Sequence, residues 1–273
     1  MADDYTRAAV RAALTVTSRL GLREHEPEVL HERSNVLVKL GPLVARVPGT
    51  IRLARPGAAW QERDVAVSRF LTERGVLVVS PATDPPAGPH FAEDLPVTLW
   101  HHTPHDPDHR YAPDVVAGSL AEVHSALREF PGELPRRGPL DDLERIFGRH
   151  DLDGETPRLR AETARLAATL PDVAVQPLHG DAHPGNLIAT EAGPCWLDFE
   201  DTWRGSLAWD LGILARQGGP ELLAAYPGDV PEAVLGPWMR LRELYSVVWR
   251  HVIAIRFPHR LPAARSAFAA YFS

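Results

Sequence analysis

The spacing of apolar residues changes along this chain. Early on, two kinds of periodicity alternate. Tyr5 to Leu22 carries Val10, Ala13, Leu14 and Leu20 at helical spacing. Asn35 to Leu40 and Leu43 to Val47 are short β-branched runs around Gly41-Pro42, which predicts a hairpin. Trp60 to Arg74 returns to helical spacing, with Trp60, Asp64, Val67 and Leu71 on one face. Val76 to Val79 reads as a short strand, Pro81 to Pro96 as turns, and Pro96 to Trp100 as another strand. The segment Thr103 to Pro113, rich in His, Pro and Asp, reads as a boundary. Beyond it helices dominate: Asp114 to Glu129, parts of Leu140 to Leu170, and Pro231 to Phe257. One exception is a second small hairpin, Leu187 to Thr190 with Cys195 to Leu197. Strands first and helices after is an α+β pattern of two lobes, not alternating βαβ units.

Composition narrows the possibilities. The chain has 273 residues, 44% hydrophobic and 24% charged, as a globular protein has. No apolar run approaches the roughly 20 residues that span a bilayer, and MADDYTRAAV does not read as a signal peptide. The expectation is therefore no membrane partner. Cys195 is the single cysteine, so no internal disulfide forms and a reducing cytoplasm is the expected home. A net charge of −7 argues against nucleic acid as partner and suits a cationic substrate. Lys39 is the only lysine, so the remaining basic charge is arginine.

The chemistry concentrates in Leu178 to Asp201, LHGDAHPGNLIATEAGPCWLDFED. Phosphoryl transfer needs a carboxylate that orients the attacking hydroxyl and oxygen ligands that hold Mg²⁺ against the phosphates. Asp181 fits the first task; Asn186 and Asp198, at the two ends of the small hairpin, fit the second. Pro184-Gly185 supplies the bend between Asp181 and Asn186. A competing reading takes His179, Asp181 and His183 as zinc ligands of a hydrolase, but leaves Asn186 and Asp198 idle.

The Asp-x4-Asn spacing is that of kinase catalytic loops. The segment His179-Gly180-Asp181-Ala182-His183-Pro184-Gly185-Asn186, followed by Leu197-Asp198-Phe199-Glu200, resembles the aminoglycoside and choline phosphotransferase family. That resemblance implies a two-lobe protein-kinase-like fold: a small β-rich N-terminal nucleotide-binding lobe, residues 1–102, and a larger helical C-terminal lobe for catalysis and the acceptor, residues 103–273. It implies ATP and Mg as cofactors, Asp181 as catalytic base, and Asn186 and Asp198 as metal ligands. His179 would brace the loop and Asp210 would fasten it. Ser34 and Asn35 look like the phosphate-covering turn. Arg46 stands where protein kinases carry a phosphate-binding lysine, with Lys39 on the neighbouring strand as alternative. An arginine keeps its charge and grips phosphate with two donors. Its ion-pair partner is expected to be Asp64 on the inward helix face, ahead of Glu62. Adenine is expected beneath Leu99 to His102.

The expected reaction moves the γ-phosphoryl of ATP to a hydroxyl of a small-molecule acceptor. Glu200, Asp201, Glu221 and Glu243 are acids placed to meet an amine, which points to an aminoglycoside or amino sugar. The alternatives are a choline or other metabolite kinase and a catalytically silent nucleotide-binding protein of the same fold.

Overall fold

A computed structural model describes residues 4–228 and 230–273. In chain order its elements are α1 (Asp4–Arg19), β1 (Glu28–Glu32), β2 (Asn35–Leu40), β3 (Leu43–Pro48), α2 (Ile51–Ala54), α3 (Ala59–Glu73), β4 (His90–Ala92) and β5 (Leu95–His101). They continue with α4 (Pro113–Leu127), α5 (Gly138–Phe147), α6 (Thr156–Ala167), β6 (Gln176–Pro177), β7 (Leu187–Thr190), β8 (Gly193–Trp196) and β9 (Arg204–Gly205). The chain ends in α7 (Leu207–Gly218), α8 (Pro220–Ala225), α9 (Glu232–Arg256) and α10 (Leu261–Phe272). Two compact units result: Met1–His109 with Ile188–Glu200, and Arg110–Leu187 with Asp201–Ser273. Among the described residues no helix is long and apolar enough to cross a membrane.

The first unit is built on an antiparallel sheet in the order β1-β2-β3-β5-β4. Successive strand residues face opposite sides, and the sequence uses both. Val36, Val38 and Leu40 of β2 join Leu43, Ala45 and Val47 of β3 in a core with Ala9, Ala12, Ala13 and Val16 of α1. Small alanines on α1 let the helix lie close to the sheet. The other face of β3 carries Val44 and Arg46, paired in register with Trp100 and Thr98. Val44 and Trp100 pack there with Val65 of α3, so Arg46 lies on the sheet face that α3 covers.

Val76–Val79 forms no strand. It makes one isolated bridge, Val78 to Trp196, in which Val79 N–H donates to the Trp196 carbonyl and Trp196 N–H to that of Leu77. Pro81, which lacks an N–H, follows closely. This bridge fastens β8 to the segment that follows α3.

In the second unit, α7 begins at Ser206, whose hydroxyl accepts from Ala208 N–H at 3.3 Å. Helices α7 and α9 pack around buried Trp203, Trp209 and Trp238, with ring centroids 5.9 to 6.3 Å apart.

Candidate active site

In the first unit, Arg46 is buried and meets three carboxylates. Its guanidinium lies 2.5 Å from Asp64 Oδ2, from Asp198 Oδ1 and from Glu200 Oε2. Asp64 comes from the inward face of α3, and its other oxygen accepts from Phe199 N–H at 2.9 Å. Glu62, two positions away, is exposed. Lys39 pairs instead with Glu28 on β1, at 3.3 Å. The Asn35 amide is buried between Arg46 and Glu200; turned so that its oxygen meets Arg46, it accepts from Nε at 3.1 Å and Nη2 at 2.7 Å. Ser34 is exposed in the β1–β2 turn, its carbonyl accepting from Gly49 and Ile51.

Burial pushes the Asp64 carboxyl up to about 7, against the pull of Arg46 and with the charge of Asp198 adding to the rise. Neighbouring Asp198, Glu200 and Asp64 push the guanidinium far above its ordinary value despite burial, so Arg46 stays charged. Asp198 is the most open of the three acids, its side chain 26% exposed, and it holds φ at +73°. Few residues other than glycine adopt that conformation, aspartate among them.

The second unit carries the loop from His179 to Asn186. Gly180 has φ +92°, and a Cβ there would strike the Asp201 carbonyl, so the motif needs glycine at this point. Buried Asp210, in the first turn of α7, accepts from His179 N–H at 2.8 Å and Gly180 N–H at 3.0 Å. Its carboxylate also accepts from His124 Nε2 of α4, whose Nδ1 faces the Tyr226 hydroxyl, each at 2.9 Å. Ser206, not Asp210, caps the helix, which frees Asp210 to hold the loop. Trp209 Nε1–H donates to the Gly180 carbonyl at 2.8 Å.

This anchoring presents Asp181. Asn186 Nδ2 donates to the Asp181 carbonyl at 2.9 Å and approaches its carboxylate at 3.4 Å. His183 Nδ1 accepts from Gly185 N–H at 2.9 Å, so the proton of a neutral ring sits on Nε2, which faces Asp181 Oδ2 at 3.4 Å. Arg242 Nη2 donates to Asp181 Oδ1 at 2.6 Å. Burial alone would raise the Asp181 carboxyl; Arg242 and then His183 outweigh it and hold the group below the usual carboxylate range. The zinc arrangement is not present: His179 is buried with Nδ1 accepting from Asp181 N–H, and among the described residues no three His, Cys, Asp or Glu side chains are grouped to hold a metal.

Among the acids expected to meet an amine, Glu200 and Glu243 have charged partners. Glu200 is buried against Arg46, and Glu243 pairs with Arg240 at 2.9 Å and lies 4.0 Å from Arg216. Near Leu99 to His102, the N–H groups of Leu99, His101 and His102 bond to the carbonyls of Ala87, Ser80 and Pro42. Sequence reasoning did not single out Arg242, His124 or the bond between Glu200 and Arg46.

The donor chemistry fits a divalent cation. Arg46 meets three carboxylates, Arg55 and Arg63 donate to the Glu200 carbonyl, and Asp198 is the acid most open to a further ligand. Mg²⁺ keeps several waters and takes one or two protein carboxylates along with phosphate oxygens, so a three-ligand protein cage is not required.

Comparison with known proteins gives the family and the fold. The model of the phosphotransferase enzyme family matches residues 26–244. No curated protein matches the sequence significantly. Among solved structures, a choline/ethanolamine kinase family protein from Mesorhizobium loti is 17% identical with a TM-score of 0.64, over 95% of this chain and 93% of that one. Amicoumacin kinase hAmiN, in complex with AMP-PNP, Ca²⁺ and Ami, is 11% identical with a TM-score of 0.71, over 97% and 96%. An aminoglycoside-3'-phosphotransferase of type VIII is 18% identical with a TM-score of 0.66, over 89% of this chain and 100% of that one. With its β-rich first unit, its helical second unit and the matched model, the chain belongs to the phosphotransferase enzyme family and has a protein-kinase-like fold.

Proposed function

We propose that this phosphotransferase is a small-molecule kinase that moves the γ-phosphoryl group of ATP to a hydroxyl of a small acceptor. The observation that carries the reading is Asp181, held unprotonated on a loop that buried Asp210 fastens by two backbone N–H groups. That hAmiN, a kinase of similar fold, was captured with AMP-PNP and Ca²⁺ supports a nucleotide and a divalent metal as cofactors.

In this reading Asp181 accepts a hydrogen bond from the acceptor hydroxyl and turns its oxygen toward the γ-phosphorus. The new O–P bond forms as the bridging bond to the β-phosphate breaks, ADP departs, and the hydroxyl proton passes to Asp181. Asn186 and Asp198 would hold Mg²⁺, which neutralises charge on the phosphates. Arg46 fixes Asp198 and contributes positive charge to the nucleotide, while Asp64 fixes Arg46. The role left to Ser34 and Asn35 is to shape the turn over the phosphates. Positioning and electrostatics supply most of the catalysis.

A coupled ADP-release assay with Mg-ATP and a panel of hydroxylated acceptors tests this, with Asp181→Asn in parallel. Acceptor-dependent release that the variant loses is the expected result. Release that survives in the variant would remove Asp181 as base. Nucleotide binding without turnover, with any acceptor or with water, would favour a silent nucleotide-binding protein.

A further inference from the structure

Helix α9 passes the catalytic loop with the run Arg240-Leu241-Arg242-Glu243-Leu244-Tyr245. Leu241 and Leu244 enter the core. Arg240 pairs with Glu243 and covers the Tyr271 ring. Arg242 differs: three positions from Tyr245, it shares that residue's face. Its guanidinium lies 5.5 Å from the ring centroids of both Trp209 and Tyr245, within cation–π range. Both rings are pinned at their polar ends, Trp209 to the Gly180 carbonyl and Tyr245 to buried Asp142 at 3.0 Å. The seat is therefore rigid, and the side chain in it is only 11% exposed.

A guanidinium carries five N–H donors. Among the described residues, Arg242 makes one side-chain hydrogen bond, from Nη2 to Asp181. Nearby acids have partners: Glu243 has Arg240, Asp142 has Arg145 and Tyr245, and Asp210 has His124 and the loop. What remains beside Asp181 is spare donor capacity on a fixed cation.

We infer that the acceptor bears an oxyanion, a carboxylate or a phosphate group, that Arg242 grips while a hydroxyl one or two carbons away reaches Asp181. Guanidinium and oxyanion match as a two-pronged fork. A group on the remaining donors stands within two hydrogen-bond lengths, about 6 Å, of the Asp181 carboxylate, a span that short hydroxy acids and sugar phosphates cover. A cationic acceptor would face the positive charge of Arg242 at this point. The inference rests on the kinase reading and names its substrate class.

The test compares matched acceptors with the unmodified chain at saturating Mg-ATP: glycerate against its methyl ester, glucose 6-phosphate against glucose, with choline and glucosamine as cations. We expect an anionic member to exceed its neutral partner in kcat/KM by about tenfold or more, the worth of a charge-assisted hydrogen bond; which pair shows it separates carboxylate from phosphate. Arg242→Gln should raise KM for that acceptor about 10- to 100-fold with a smaller change in kcat, and Arg242→Lys should recover part. A merely structural role would lower kcat for anionic and neutral partners alike, and that result would overturn the assignment. Equal use of matched partners, preference for the cations, or silence with every anion while Asp181-dependent ATP hydrolysis persists would overturn the anionic acceptor and leave the kinase standing. Loss of Asp181-dependent ATP hydrolysis as well as acceptor turnover would overturn both.

Discussion

Two arginines, one in each unit, lie against carboxylates and are set up in opposite ways, Arg46 buried and Arg242 partly buried. Among the described residues, Arg46 has three acids at 2.5 Å, while Arg242 has one, at 2.6 Å. The first guanidinium is surrounded by carboxylates, of which Asp198 is the most open, and in the proposed function that acid takes a cation. The second is balanced, with donors to spare, and suits an anion. Residue type alone says little about what a site attracts; the opposite charges and open donors around the group matter more.

The comparison can be broken or sharpened in several ways. The largest effect is expected at Asp181. Asp181→Asn keeps the shape of the loop but removes the proton acceptor, and kcat should fall about a thousandfold with ATP affinity retained, read by ADP release and nucleotide titration. A fall in affinity as large as that in kcat would instead make Asp181 a binding residue.

Next comes Arg46→Met, which leaves three acids around a missing charge. Removing one partner of a buried ion pair costs about 3–5 kcal/mol, so the urea midpoint should drop sharply. Arg242→Met strands only Asp181, 22% exposed and able to meet water, and should cost clearly less. Equal losses would erase the distinction between the two arginines.

Asp198→Asn should raise the Mg²⁺ concentration for half-maximal activity at least about tenfold, since even outer-shell changes at metal sites cost that much. An unchanged requirement would place the metal elsewhere.

The smallest effect is in pH dependence, where the two units should slope in opposite directions. Asp64 rises from 3.8 to about 7 on folding. Between those values the folded chain holds a proton that the unfolded chain has released, so the Asp64 contribution to stability declines as pH rises. Asp64→Asn should flatten that slope in melting temperature. Asp181 is lowered on folding, so its contribution is complete above the ordinary carboxylate range and is lost as pH falls below it. Asp181→Asn should remove that acid-side loss.

The sequence was most legible where local patterns are strong. Val36, Val38 and Leu40 alternate before Gly41-Pro42, and β2 and β3 follow. Asp64 shares the inward face of α3 with Trp60, Val67 and Leu71, which is enough to choose it over Glu62 as the partner of Arg46. The loop motif was legible because His-Gly-Asp meets a specific steric need at Gly180. β1 escaped notice because all five of its residues are exposed and show no inward face. Val76–Val79 has the composition of a strand, but only Val78 finds a partner. Arg242 was hidden because nothing local separates it from Arg240; its partner lies 61 positions away. Glu200 looked like a free acid because sequence order shows its nearness to Asp198 and not the guanidinium that both acids share.

An arginine, Arg46, at the centre of the acid cluster has a practical consequence for chemical labelling. Lys39 is the only lysine in the chain, and it sits on β2 paired with Glu28 rather than in the acid cluster. Reagents that acylate amines have no side-chain target among the carboxylates of Arg46. If that cluster is the nucleotide site proposed above, probes that modify an active-site lysine would pass over this protein, and Lys39 offers a single side-chain handle for a dye or a surface.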